Sequence, residues 1–349
     1  MLEHPFTTPP PQGETQQIAP GVHWLRMPLP YALDHVNLWL IEEGATWTAV
    51  DTGFALDASK AVWMPILEKR PLARQIVTHF HPDHLGLAAW LEERTGAPLW
   101  ITRGEYQCAK ATLAQSPGYS VADTCALFRA HGLDDDRLGT ITRRGNAYAH
   151  GAPRLPDTFR PLIEGEEISI GDQRWKVIVG RGHSPEHASL YCARLGILIS
   201  GDMMLPNIST HIGVHPTDAN GHPLADFLAA LSQMERLPED TLVLPSHGRP
   251  FRGLHTRIEH LRAHHRARCN DLLNACALQP KTAAELLPIL FAREIQDPHQ
   301  LFFAMGEAIA HLIHLEQSGT LTRQMSARGV FRFRTAGQAK ADRTNGPQT

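Results

Sequence analysis

The 349-residue sequence predicts an α/β protein of stacked sheets flanked by helices, with a helical insert and a small C-terminal domain. Three observations carry this prediction. Short β-like runs separated by single helices occur on both sides of the chain's middle. Residues 103–150 lose strand character, and beyond Gly248 the pattern turns helical before closing on an alternating pair of short runs.

Residues 1–17, rich in Pro and Gln, are expected to form an N-terminal arm on the surface. Runs of strand type follow at Val22–Met27, Val36–Glu42 and Thr46–Val50, the last leading into Asp51-Thr52-Gly53. Ala58–Lys69 fits an amphipathic helix, and Arg74–Thr78 fits a buried strand aimed at a histidine run. Leu85–Thr95 reads as a helix that stops at Gly96, a residue suited to the left-handed backbone of a helix end. Helical stretches at 103–115 and 120–131 make up the insert. Strand signals return at Glu167–Ile170, Arg174–Val179, Ser189–Ala193 and Ile197–Ser200. A helix at 224–236 and a strand at Thr241–Leu244 complete a domain spanning 18–255.

Over 256–335, helices at about 254–277, Thr282–Phe291 and His299–Gln317 precede a hairpin, Gly319–Thr322 with Gly329–Phe333. This order resembles a winged helix. The last residues, 336–349, are polar and expected to be disordered.

Composition narrows the function. Thirty-three basic against 36 acidic residues leave a charge of -3, so no global basic field gathers nucleic acid. Five cysteines (Cys108, Cys125, Cys192, Cys269, Cys276) form no CxxC pair and are odd in number, which predicts free thiols and a reducing cytoplasm. No run approaches 18 consecutive apolar residues, and no basic segment followed by an apolar run opens the chain. A membrane span and a signal peptide are therefore not expected.

The chemistry concentrates in His79-Phe80-His81-Pro82-Asp83-His84, four metal-competent side chains in six residues. Histidines one residue apart at a strand end share a face, while Asp83 and His84 approach from a helix start after Pro82. One Zn²⁺ takes about three protein ligands and an open position, so four candidates in one run point to two ions. His183 follows a strand in Gly182-His183-Ser184-Pro185-Glu186-His187. Asp202 ends the strand Ile197–Ser200 and is placed to bridge two cations, and His247 closes Leu244-Pro245-Ser246-His247-Gly248.

With Asp51-Thr52-Gly53, these motifs resemble the metallo-β-lactamase superfamily in order and spacing over about residues 18–255. The resemblance implies an αββα sandwich and two divalent ions, with Zn²⁺ the first choice and Fe or Mn compatible. It assigns His79, His81 and His183 to one ion and Asp83, His84 and His247 to the other, bridged by Asp202. Asp51 would orient a ligand from behind, and its alternative is a turn residue capping Gly53. Asp83 is also the candidate catalytic group, steering the nucleophile or relaying a proton. Ser184 is read as a helix cap, and His187 as the start of a structural segment rather than an eighth ligand. His211, His215 and His222 are read as exposed loop residues, and His264, His265, His311 and His314 as surface or interface residues.

The ligands leave the substrate open. A small acyl ester or thioester is favoured, because the insert could roof a compact pocket and Met203, Met204 and Leu205 follow Asp202 as apolar candidates. The resemblance keeps a lactonase and a single-stranded RNA phosphodiesterase as alternatives. For RNA the support is Arg257, Arg262, Arg266 and Arg268 on one helix, a row equally suited to a solvated face or a contact between two copies of the chain. A metal-dependent DNA-binding regulator is a weaker alternative, since residues 299–317 carry no Lys or Arg.

Overall fold

The computed structural model describes residues 1–337, so most of the expected disordered tail lies outside the described residues. The first half of the chain forms β1 (Thr15–Ala19), β2 (Val22–Pro28), β3 (His35–Glu43), β4 (Thr46–Val50), α1 (Asp57–Lys69) and β5 (Leu72–Ile76). A four-residue α2 (Pro82–Leu85), α3 (Ala88–Thr95), β6 (Leu99–Thr102) and α4 (Arg103–Leu113) follow. Next come α5 (Val121–Ala130), α6 (Asp135–Arg144), α7 (Ala147–Gly151), β7 (Arg160–Leu162), β8 (Glu167–Ile170), β9 (Gln173–Gly180), β10 (His187–Cys192) and β11 (Ile197–Gly201). The chain continues through α8 (Pro223–Met234), β12 (Leu242–Pro245), α9 (Leu254–Leu278), α10 (Ala283–Phe291) and α11 (Pro298–Gln317), and ends in the hairpin β13 (Leu321–Met325) and β14 (Phe331–Thr335).

Two sheets carry the first compact unit, which holds residues 1–114, 146–210 and 229–259. One has seven strands in the order β1 to β7, antiparallel as far as β4 and parallel from β4 onward. The other has five, ordered β12-β11-β10-β9-β8, with β11 and β12 parallel. Their inner faces share a core in which Trp24, Trp39, Val50 and Ile76 meet Trp175, Val177, Leu190 and Ile199. Alternate residues of the first sheet (Leu25, Leu38, Leu40, Ala49) point the other way, onto Val62, Trp63 and Ile66 of α1 and Leu91 of α3. A sheet covered on both faces needs apolar residues at successive positions, as in Leu38-Trp39-Leu40. On the second sheet, Gly180 leaves room for Met203 and for Ala230 of α8. This is the layered α/β fold expected.

Three readings change. Residues 15–17 of the arm belong to β1, an edge strand, and Glu3 pairs with Arg252 in an isolated bridge. The strands β6 and β7 and the helix α6 were not expected; four and three residues are too few for strand periodicity to register. The 103–150 insert is helical, but its middle falls in the second unit, which holds residues 115–145, 211–228 and 260–349. There Phe128 meets Phe302 edge-on at 5.8 Å, Ala284 N donates to the His131 carbonyl, and Thr282 and Glu285 form a capping box that starts α10. Among the described residues, no helix is long and apolar enough to cross a membrane.

His265 and His311, expected at the surface or an interface, are buried in this unit. His311 Nδ1 donates to the Glu307 carbonyl at 2.8 Å, and its Nε2 accepts from His265 Nδ1 at 3.1 Å. Neutral imidazoles joined in this way satisfy much of their polarity without water. His211 and His215 are half-buried, His211 edge-on to Phe303 at 4.6 Å, and His222 alone of that group is exposed.

Candidate metal centre

The site lies where strands of both sheets end. Asp51 follows β4, Thr78 to His84 follow β5, His183 follows β9, Asp202 follows β11 and His247 follows β12. The histidine run turns tightly because Pro82 occupies the first position of α2, and its fixed φ suits a helix start. His81 before it is extended, as a residue preceding proline must be. Gly86 closes the turn: a Cβ there would lie 2.2 Å from the Gly151 carbonyl oxygen and 2.4 Å from that of Pro82, so the chain approaches too closely for any side chain. Gly201 (φ +53°) plays the matching part before Asp202, since a Cβ would sit 2.3 Å from His187 Nε2.

All seven expected ligands converge, in three overlapping groups: His79, His81 and His183; His79, His84 and Asp202; and Asp83, His84 and His247. Within each group the donor atoms lie within 4.8 Å of one another. The two oxygens of Asp202 divide between the clusters. Oδ2 is 3.6 Å from His183 Nε2, while Oδ1 is 3.6 Å from His84 Nε2 and 3.4 Å from His247 Nε2. Asp83 Oδ2 stands 3.4 Å from both His84 Nε2 and His247 Nε2.

Hydrogen bonds behind the rings set which nitrogen faces inward. Nδ1 of His84 donates to Asp51 Oδ2 at 2.8 Å, and Nδ1 of His247 donates to the His35 carbonyl at 2.8 Å. The Thr78 hydroxyl donates to Asp51 and accepts from His79 Nδ1 at 3.0 Å. Asp51 thus orients His84 directly and His79 through Thr78. It holds a left-handed backbone (φ +67°), a conformation worth its strain only where the surroundings fix it.

Each of these three rings turns its Nε2 toward the other candidate ligands. His84 Nε2 and Asp202 Oδ1 are buried without a hydrogen-bond partner. His79 Nε2 is 2.9 Å from His81 Nδ1 and 3.1 Å from His183 Nε2. Ring nitrogens this close share either a proton or a cation, and with the Asp202 and Asp83 oxygens beside them the donor set is one that fits divalent metal.

Charge follows the same division. Burial first, then the neighbouring rings, hold His79 and His81 well below the usual imidazole range. Burial disfavours charge on His247 too, but Asp202 and Asp83 outweigh it and push that ring up to about 10. Burial also opposes ionisation of Asp202, yet His247 and His84 hold its carboxyl well below the ordinary carboxylate range.

Several residues here carried no sequence signal of a role. Tyr148 donates to the Phe80 carbonyl at 2.7 Å. Asn37 Nδ2 donates to the carbonyls of Pro245 and Gly248, pinning the loop of His247. Glu105, at the start of α4, is fully buried. It accepts from Phe80 N at 2.9 Å on Oε2, and from the Ser184 hydroxyl and Glu186 N at 2.6 Å each on Oε1. Burial pushes its carboxyl up to about 7, against these hydrogen bonds. Ser184 is therefore not a helix cap; no helix starts there. His187 opens β10 and accepts from Asp202 N at 3.1 Å, holding the Asp202 turn from its backbone. Arg257 also departs from the row expected on a solvated face or at a contact between two copies of the chain. Its guanidinium is buried and donates to the carbonyls of Leu205 and Ile208 at 2.6 Å each.

Two stacked sheets whose strand ends gather seven His and Asp side chains are the fold and site of a metallo-hydrolase family: the chain belongs to the metallo-beta-lactamase superfamily. The superfamily model matches residues 31–247, and the model of the metallo-beta-lactamase-like C-terminal domain matches 269–336. Among solved structures, a beta-lactamase domain protein from Burkholderia ambifaria is 43% identical with a TM-score of 0.89, covering 96% of this chain and 98% of its own. A Bacillus subtilis protein named "Probable metallo-hydrolase YqjP" is 25% identical over 89% of this chain and 97% of its own length. The hydroxyacylglutathione hydrolase of Rhodobacter capsulatus is 24% identical over 63% of this chain and 64% of its own.

Proposed function

We propose that the protein hydrolyses a small acyl thioester or ester. The observation that carries this reading is the division of Asp202 between two ligand clusters, with Asp83 beside His84 and His247. In that arrangement His79, His81 and His183 would hold one divalent ion, Asp83, His84 and His247 a second, and Asp202 both. Bound there, such ions would supply an acidified water and a polarising charge for the substrate's carbonyl oxygen. Asp83 orients the attacking water and takes up its proton, and the buried rings exclude bulk solvent. Zn²⁺ suits this donor set, and Fe and Mn are compatible with it.

The acyl class is supported by the likeness to a hydroxyacylglutathione hydrolase and by an aromatic pair beside the histidine turn. Tyr31, exposed, meets Phe54 edge-on at 5.8 Å, and Phe54 closes with Pro82 around Gly151. Met203, Met204 and Leu205, expected near the substrate, are buried in the core. The RNA alternative loses support, since Arg257 is committed to backbone carbonyls and Arg268 lies over the Phe291 ring.

Elemental analysis of the purified protein, combined with a panel of thioester, lactone, phosphodiester and β-lactam substrates, tests the proposal. Two metal equivalents with fastest turnover of an acyl thioester or ester is the expected result. Turnover of the phosphodiester alone would overturn it.

A further inference from the structure

Resting on the metal-dependent reading, we infer that Glu105 is a positioning residue whose carboxylate ties the two ligand loops of the first cluster together. The loop after β5 carries His79 and His81, and the loop after β9 carries His183. The two loops belong to different sheets and meet at the His79 and His183 rings, 3.1 Å apart, and at the bond from Ala188 N to the Thr78 carbonyl. Glu105 reaches both. One oxygen takes the N–H of Phe80, the peptide between His79 and His81, and the other takes the Ser184 hydroxyl and Glu186 N–H, on either side of Pro185 and next to His183.

The junction that bears Glu105 is itself fastened to the second loop. Thr102 donates its hydroxyl to the Glu186 carbonyl at 2.8 Å, and Gly104 N donates to the Glu186 carboxylate at 2.7 Å. A Cβ at Gly104 would lie 2.7 Å from that carboxylate, so glycine permits the approach. On the first loop the Phe80 peptide is held at both ends, by Glu105 at its N–H and by Tyr148 at its carbonyl. The contacts leave little freedom in the spacing of His79 and His81 against His183. They touch none of Asp83, His84 and His247.

Gln is nearly the same shape as Glu but offers an N–H₂ where one oxygen must accept. In Glu105→Gln, one side of the tie therefore meets a donor with a donor. Orienting partners of this kind change metal affinity about 10–100-fold. The test titrates Co²⁺ into metal-free wild type and Glu105→Gln against a competing chelator, following visible absorption. His183→Ala and His247→Ala assign the two binding steps. The expected result is that the step altered by His183→Ala weakens 10–100-fold in Glu105→Gln while the step altered by His247→Ala is unchanged, and that Glu105→Asp recovers part of the loss. Equal weakening of both steps, or of neither, would overturn the inference alone. A wild-type chain that takes up no Co²⁺ would overturn the metal reading and this inference with it. Should Glu105→Gln fail to fold, Ser184→Ala, which removes one donor, decides: a smaller weakening of the same step supports the tie, and no change refutes it.

Discussion

The carboxylate of Asp51 lies 2.8 Å from Nδ1 of His84 and also receives the Thr78 hydroxyl that accepts from His79. One side chain thus orients two rings that would hold different ions, and its left-handed backbone places it there. Asn tolerates that backbone but cannot accept on both sides. Asp51→Asn is expected to leave the fold intact and lower metal affinity about 10–100-fold. Chelator competition with circular dichroism as the control measures both.

Asp202 faces both clusters, so its loss is expected to differ in kind. Asp202→Ala removes the carboxylate shared by His183, His84 and His247 and should abolish turnover together with most of the bound metal. Retained activity with a full metal complement would contradict the two-ion arrangement.

At Gly86 the consequence is one of stability. A methyl group would enter the space of three backbone carbonyls, those of Gly151, Pro82 and Gly53, and backbone cannot swing aside as a side chain does. Overpacking of this kind costs about 1–3 kcal/mol. Urea unfolding of Gly86→Ala should show it as a lower midpoint at unchanged slope.

Acid should weaken the second unit through His265 and His311. Burial holds them neutral, with His265 pushed down to about 3 and His311 to about 4, and His264, His314 and Arg268 add to the effect. A histidine depressed in the folded state contributes stability above its unfolded value near 6.5, and that stability drains away as pH falls toward the folded value. The slope is at most about 1.4 kcal/mol per pH unit for each ring. Unfolding free energies at pH 7.5 and 5.5 are expected to differ less in His265→Phe than in wild type; an equal difference would remove His265 from the account.

How much of this was legible in the sequence follows from where each signal sits. His79 to His84 are adjacent, so their chemistry can be read from six letters. His183, Asp202 and His247 became legible through their order after strand-like runs. Glu105, Asn37 and Tyr148 act through peptide groups of distant segments and Thr78 through the distant Asp51 carboxylate, and no spacing announces that. Met203 and Met204 are apolar whether they line a pocket or fill a core. The burial of His265 depends on His311, 46 positions away, accepting its hydrogen bond. Arg257 likewise hides because two carbonyls meet its guanidinium, a match that a row of arginines on a helix does not reveal.

The ligands are split between the ends of two sheets, and His79 and His183 stand 104 positions apart in the chain. An unfolded chain can offer a cation only the local run, His79 to His84. The remaining donors arrive after long loops have closed, the slow and entropically costly part of folding. Metal bound at the finished site would therefore act as a latch on late-forming structure, and its binding free energy would be counted in the stability of the fold. Stripping the ions should then speed unfolding more than it slows refolding, a kinetic signature of a centre completed last.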